Sequence, residues 1–184
     1  MAADEKAQTG GRTAVRVEVA GSGRAHVATG VPVLDHLLTL LVRYAKFDLS
    51  LEVEPGSADA EVAAAGQALG QALAEPLRAA GAQGYGAGIM TAAEALAQVV
   101  VEATASPFFV SNVDLTEARI GGLASDLVAG FLRQLTEGAR LTLHVRLMNG
   151  SDTQHVLEAI FKALGVAIAQ ACAREPGGDA HPGS

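Results

Sequence analysis

The alternating run Leu141-Thr-Leu-His-Val145, the turn residues Asn149-Gly-Ser-Asp152 and the long apolar-rich stretch 153–173 follow one another in an order that decides the fold, because it occurs twice. Earlier in the chain Leu49-Ser-Leu-Glu-Val53 alternates in the same way and precedes an Ala-rich stretch over residues 59–77. Strict alternation marks a half-buried strand, and apolar residues at three- and four-residue spacing mark a helix. Gly66-Gln-Ala-Leu-Gly-Gln-Ala-Leu73 lies in helical phase with Phe161-Lys-Ala-Leu-Gly-Val-Ala-Ile168, so the repeat extends into the helices. Working outward, helical spacing runs from Val33 to Tyr44 and from Asp126 to Leu135, and strands are expected at Ala14-Val-Arg-Val-Glu-Val19, Val99-Val-Val-Glu-Ala103 and Phe108-Phe-Val-Ser-Asn112. The reading is an α+β chain of two duplicated halves, residues 12–90 and 91–173. Residues 1–11 and the Pro- and Gly-rich tail 174–184 are expected to be disordered.

Composition narrows the function classes. A chain of 184 residues buries about 70% of its unfolded surface and folds without staples. Its net charge of −7, pI near 5.1 and lack of a dense Lys/Arg stripe exclude phosphate-backbone binding, and its few aromatics leave no stacking platform for single strands. The lone Cys172 permits no internal disulfide, which with the absence of a leader-like N-terminus or a long uninterrupted apolar window predicts a cytoplasmic address away from membranes.

Several polar residues are candidates for chemistry. His155 and Glu158, three apart at the start of the last helix, share one face and offer a nitrogen and an oxygen to a metal, or simply bond to each other. The first-half positions in the same phase are Ala60 and Ala63, so no second pair faces them; Asp59 and Glu61 nearby suit a helix N-terminus. His36 follows Asp35 at the start of the first helix, where a ligand or an acid–base role and a plain N-cap are equally good readings. His144 alternates with Leu143 and Val145 and points off the core side with Arg146; His26 sits in a short strand, and His181 falls in the tail. The run Gly81-Ala-Gln-Gly-Tyr-Gly-Ala-Gly88 follows a helix, so it lacks the phosphate-loop arrangement, and no Ser sits in a nucleophile elbow.

Five segments, Val33-Leu-Asp-His-Leu-Leu38, Lys46-Phe-Asp-Leu-Ser-Leu-Glu-Val53, Ala92-Ala-Glu-Ala-Leu-Ala97, Leu141-Thr-Leu-His-Val-Arg146 and His155-Val-Leu-Glu-Ala-Ile-Phe-Lys-Ala-Leu164, resemble the imidazoleglycerol-phosphate dehydratase family in order and spacing from Arg12 to Cys172. The resemblance implies two repeats, each a roughly four-stranded sheet with helices packed on one face, as in ribosomal protein S5 domain 2. It implies a homo-oligomer built from trimers into a large octahedral shell, with sites between subunits; an intact paralogue is a further partner to expect if the chain itself is inactive. It also implies a hydro-lyase of histidine biosynthesis that uses two manganese ions held by His-His-x-x-Glu motifs.

Carried over by residue, His36, His155 and Glu158 match metal ligands, Lys162 matches a phosphate contact and Glu94 matches a catalytic carboxylate. Other family positions are replaced: Asp59, Ala60, Ala63, Gly130 and Gln154 stand at metal ligands, Gly84 and Ser106 at phosphate-binding arginines, Tyr44 at an active-site His, and Ala93 at the Asp before Glu94. The expectation is one manganese ion or none, and an impaired or inactive dehydratase, a pseudoenzyme that keeps the fold. The alternative is an active, divergent carbon–oxygen lyase with a reduced metal site.

Overall fold

Val15 and Val17 turn inward while Arg16 and Glu18 stay exposed, and this alternation makes residues Ala14–Glu18 the first strand, β1. The computed structural model describes residues 12–114, 119–120 and 123–174; the two expected disordered ends lie outside these residues, except that Arg174 is described. In chain order the elements are β1, β2 (Ala25–Ala28), α1 (Pro32–Ala45), β3 (Asp48–Glu52), α2 (Ala58–Ala74), β4 (Tyr85–Ala92), β5 (Ala95–Ala103), β6 (Phe108–Ser111), β7 (Arg119–Ile120), β8 (Leu123–Ala124), α3 (Asp126–Ala139), β9 (Leu141–Asn149) and α4 (Thr153–Cys172).

The first sheet has the order β1-β3-β2, with β1 antiparallel and β2 parallel to β3. The second has the order β4-β5-β9-β6, with β5 antiparallel and β6 parallel to β9. Strands β5-β9-β6 therefore repeat β1-β3-β2 in order and direction, as duplication requires. The strand β4 has no described counterpart in the first sheet, and because it pairs along its length with β5, the second sheet starts at Tyr85, ahead of the boundary read from sequence.

The strand β4 was not expected from the Gly-rich run, which sequence reading noted only as following a helix. A Cβ at Gly86 would lie 2.1 Å from the Ala167 carbonyl oxygen, and one at Gly88 2.2 Å from that of Ala163. The glycines thus let β4 press directly onto α4.

The helices of the two halves pack on each other, α1 against α4 and α2 against α3. Gly165 of α4 sits where a Cβ would be 2.3 Å from the Leu41 carbonyl oxygen of α1; Gly70 of α2 sits where a Cβ would be 2.6 Å from that of Leu135 in α3. Both receiving helices end on a left-handed C-cap, Lys46 at φ 57 and Arg140 at φ 56. The two contacts between the halves are therefore the same contact, made once in each direction. Phe131 and Phe161 stack with ring centroids 5.7 Å apart where the helix layers join. By length and composition α4 could cross a membrane, but Ala159, Ile160, Phe161, Ala163 and Leu164 are fully or almost fully buried, and it is the central core helix.

Candidate active site

The N-terminal turns of α1 and α4 bring together residues far apart in sequence. Pro32 opens α1, and Asp35 accepts bonds from the Thr29 amide and hydroxyl, which fixes the entry to the helix. His36, one residue on, projects outward and its Nε2 meets Glu158 Oε1 of α4 at 3.0 Å. Gln154 Nε2 donates to the same oxygen at 3.1 Å. Burial pushes the Glu158 carboxyl up, but the hydrogen bonds from His36 and Gln154 outweigh it, and the net displacement is downward.

A second pair forms beside the first. Asp152 caps α4 by accepting from the His155 amide at 3.1 Å. His155 Nδ1 meets Glu94 Oε2 at 2.7 Å, while Glu94 Oε1 accepts from the Asp152 amide at 3.0 Å. Glu94 lies in the tight turn between β4 and β5, and its neighbour Ala93 holds a φ of 46. The Asp152 amide above all, with the His155 side chain, lowers the Glu94 carboxyl to about 2, and Glu94 in turn raises the His155 imidazole. Near neutral pH Glu94 is thus a carboxylate that favours an imidazolium partner.

Lys162, two turns into α4, donates to the Thr91 carbonyl oxygen at 3.2 Å and stands 5.4 Å from the centre of the Tyr44 ring. Of the residues read from sequence, the structure unites His36 with Glu158 and Glu94 with His155. It does not gather His36, His155 and Glu158 around one point: among the described residues no three His, Cys, Asp or Glu side chains form a metal-holding group. Glu61 accepts from the Gly56 amide at 3.0 Å, which matches its reading as a helix-terminus residue. His144 is exposed with Arg146 in a groove of about 430 Å³ on the outer face of the second sheet, away from Glu94 and His155.

Sequence reading missed the part Gln154 plays. Its amide is the second donor to Glu158, and the four-residue spacing on one helix was the signal available. It also missed the turn geometry that aims Glu94 at α4, which no local pattern announces.

The pseudo-symmetry locates what is absent. As Leu41 corresponds to Leu135 and Gly165 to Gly70, so His36 corresponds to Gly130 and Glu158 to Ala63. Where one half carries a His–Glu pair, the other has lost both side chains.

The imidazoleglycerol-phosphate dehydratase family model matches residues 29–168. The imidazoleglycerol-phosphate dehydratase of Syntrophobacter fumaroxidans is 41% identical over 158 residues, which are 83% of this chain and 80% of that protein. The Bacillus subtilis protein of the same name is 37% identical over 161 residues, 85% of this chain and 82% of its own. The crystal structure of imidazoleglycerol-phosphate dehydratase from Staphylococcus aureus superposes with a TM-score of 0.82 at 30% identity, covering 90% of this chain and 95% of that one. The Pyrococcus furiosus enzyme in complex with (S)-C348 gives a TM-score of 0.78 at 28% identity over 92% and 94%. With the family model spanning most of the chain and the two half-sheets repeating each other, this chain belongs to the imidazoleglycerol-phosphate dehydratase family of histidine biosynthesis.

Proposed function

We propose that this chain acts as an imidazoleglycerol-phosphate dehydratase-type carbon–oxygen lyase of reduced power, with the Glu94–His155 pair as its remaining acid–base equipment. The observation that carries this is the 2.7 Å contact between Glu94 and His155, in a chain whose relatives at 34–41% identity bear the dehydratase name. Loss of water breaks one C–H and one C–O bond, so the site must take a proton from carbon and give one to the departing hydroxyl. With Nδ1 held by Glu94, His155 presents Nε2 to the substrate; the imidazolium form donates, and the imidazole left behind accepts. General acid–base help of this kind contributes about 10²–10⁴-fold.

Manganese in the arrangement implied by the resemblance does not fit the described residues, because the three matched ligands pair off separately and Gln154, Ala60, Ala63 and Gly130 stand at the other positions. Lys162 is the cation retained for the phosphate. Without arginines at Gly84 and Ser106 the phosphate lacks charge-assisted bonds worth about 1.5–3 kcal/mol each, so binding weakens a hundredfold or more.

A second reading, favoured by the paired truncation at Gly130 and Ala63, is a family member kept for assembly with itself or with an intact paralogue, without dehydration. Complementation separates the two. Growth of a dehydratase-deficient histidine auxotroph carrying this gene supports the lyase; no growth despite soluble protein supports the second reading. A homo-oligomeric mass belongs to both.

A further inference from the structure

We propose that Gln154 closes the His36–Glu158 pair against metal, so that this chain holds its site together with hydrogen bonds where the resemblance implies manganese. The inference rests on reading these side chains as the family's reaction site. Glu158 Oε1 already receives two N–H donors, His36 Nε2 at 3.0 Å and Gln154 Nε2 at 3.1 Å, which fill both lone pairs of the oxygen that faces His36. An amide nitrogen is no metal ligand, because its lone pair is delocalised into the carbonyl. A cation between Glu158 Oε1 and His36 must displace both donors, and gains His36 and at most the neutral, weakly binding amide oxygen of a turned Gln154 as further ligands. His155 does not make up the deficit within the chain, since its ring is turned to Glu94 and does not group with His36 and Glu158 among the described residues.

No second pair within the chain makes up the set either, because the positions corresponding to His36 and Glu158 are Gly130 and Ala63. The result is two closed networks, Gln154–Glu158–His36 and Asp152–His155–Glu94, in which each ionisable side chain has a partner from the protein itself. The same geometry says how to reverse the change. A side chain at 154 already reaches Glu158, so a ligand placed there joins His36 and Glu158 as a third, and three protein ligands with open positions suffice for a mononuclear site.

The test uses the full chain, stripped with chelator and desalted, and manganese chloride as the probe, with melting temperature and elemental metal content as readouts. Wild-type protein should melt at the same temperature with and without about 1 mM manganese and retain no stoichiometric metal. Gln154→His, and the isosteric Gln154→Glu as a second variant in case the first folds poorly, should each gain about one bound ion per chain and a melting rise of several degrees. Stoichiometric manganese on the wild type, or a manganese-dependent rise in its melting temperature, overturns the proposal without reference to any variant. Failure of both folded variants to respond overturns the assignment to Gln154. Neither readout depends on turnover, so a protein that neither dehydrates nor binds metal counts against the proposed activity and leaves this inference standing.

Discussion

His36 Nε2 and Glu158 Oε1 lie 3.0 Å apart although 122 residues separate them, and they meet because Gly165 lets α4 press onto the Leu41 carbonyl of α1. Side-chain exposures of 53% and 19% place the pair at the surface, so its own contribution is small. A double-mutant cycle with His36→Ala and Glu158→Gln should give a coupling of about 1 kcal/mol or less in urea unfolding. A coupling well above that would mean the pair is desolvated in an assembled form of the protein.

The close helix contacts leave no room for a side chain. Gly165→Ala or Gly70→Ala forces a methyl group to within 2.3 or 2.6 Å of a carbonyl oxygen and should cost about 1–3 kcal/mol. Gly130 presents the opposite case, since a Cβ there meets nothing within 4 Å and the residue lies inside α3. Gly130→Ala should stabilise the protein by about 0.5–1 kcal/mol. Melting temperatures that move in the same direction for both kinds of variant would contradict this account of the glycines.

Ala93 holds a φ of 46 in the turn that aims Glu94, a region that disfavours a side chain by about 1–2 kcal/mol. Ala93→Gly should relieve most of that strain and raise the unfolding midpoint. A lower midpoint would show that backbone freedom in the unfolded chain outweighs the strain.

Glu94 bears on chemistry. Glu94→Gln keeps the shape of the side chain but removes the charge that orients His155 and favours its protonated form, and should lower any measured dehydration rate by about 10²-fold, chiefly in kcat. An unchanged kcat would take Glu94 out of the reaction.

Asp48 supplies a pH signature separate from the site. It accepts from the amides of Ser22 and Arg24, which with the Arg24 side chain lower its carboxyl from 3.8 to about 2. Because the folded value is the lower one, its contribution is complete above the unfolded value and is lost as pH falls from about 4 through 2. The stability gap between wild type and Asp48→Asn should therefore be widest near neutrality and shrink in acid; a gap that persists at pH 2 would assign the effect to packing against Gly21.

Much of this architecture was legible in the residues alone. Alternation at Leu49–Val53 and Leu141–Val145 and helical spacing in the stretches beside them are local signals, and their recurrence showed the duplication. The candidates His36, Glu94, His155, Glu158 and Lys162 were also named from the chain. Their grouping was not, because it depends on how two helices cross. Only the packed fold shows that Glu158 belongs with His36 and Gln154, that His155 turns to Glu94, and that Lys162 rests near Tyr44. The strand β4 escaped for a related reason: Gly86 and Gly88 resemble a flexible loop until a helix backbone is placed a few ångströms away, and that neighbour lies more than seventy residues further along the chain.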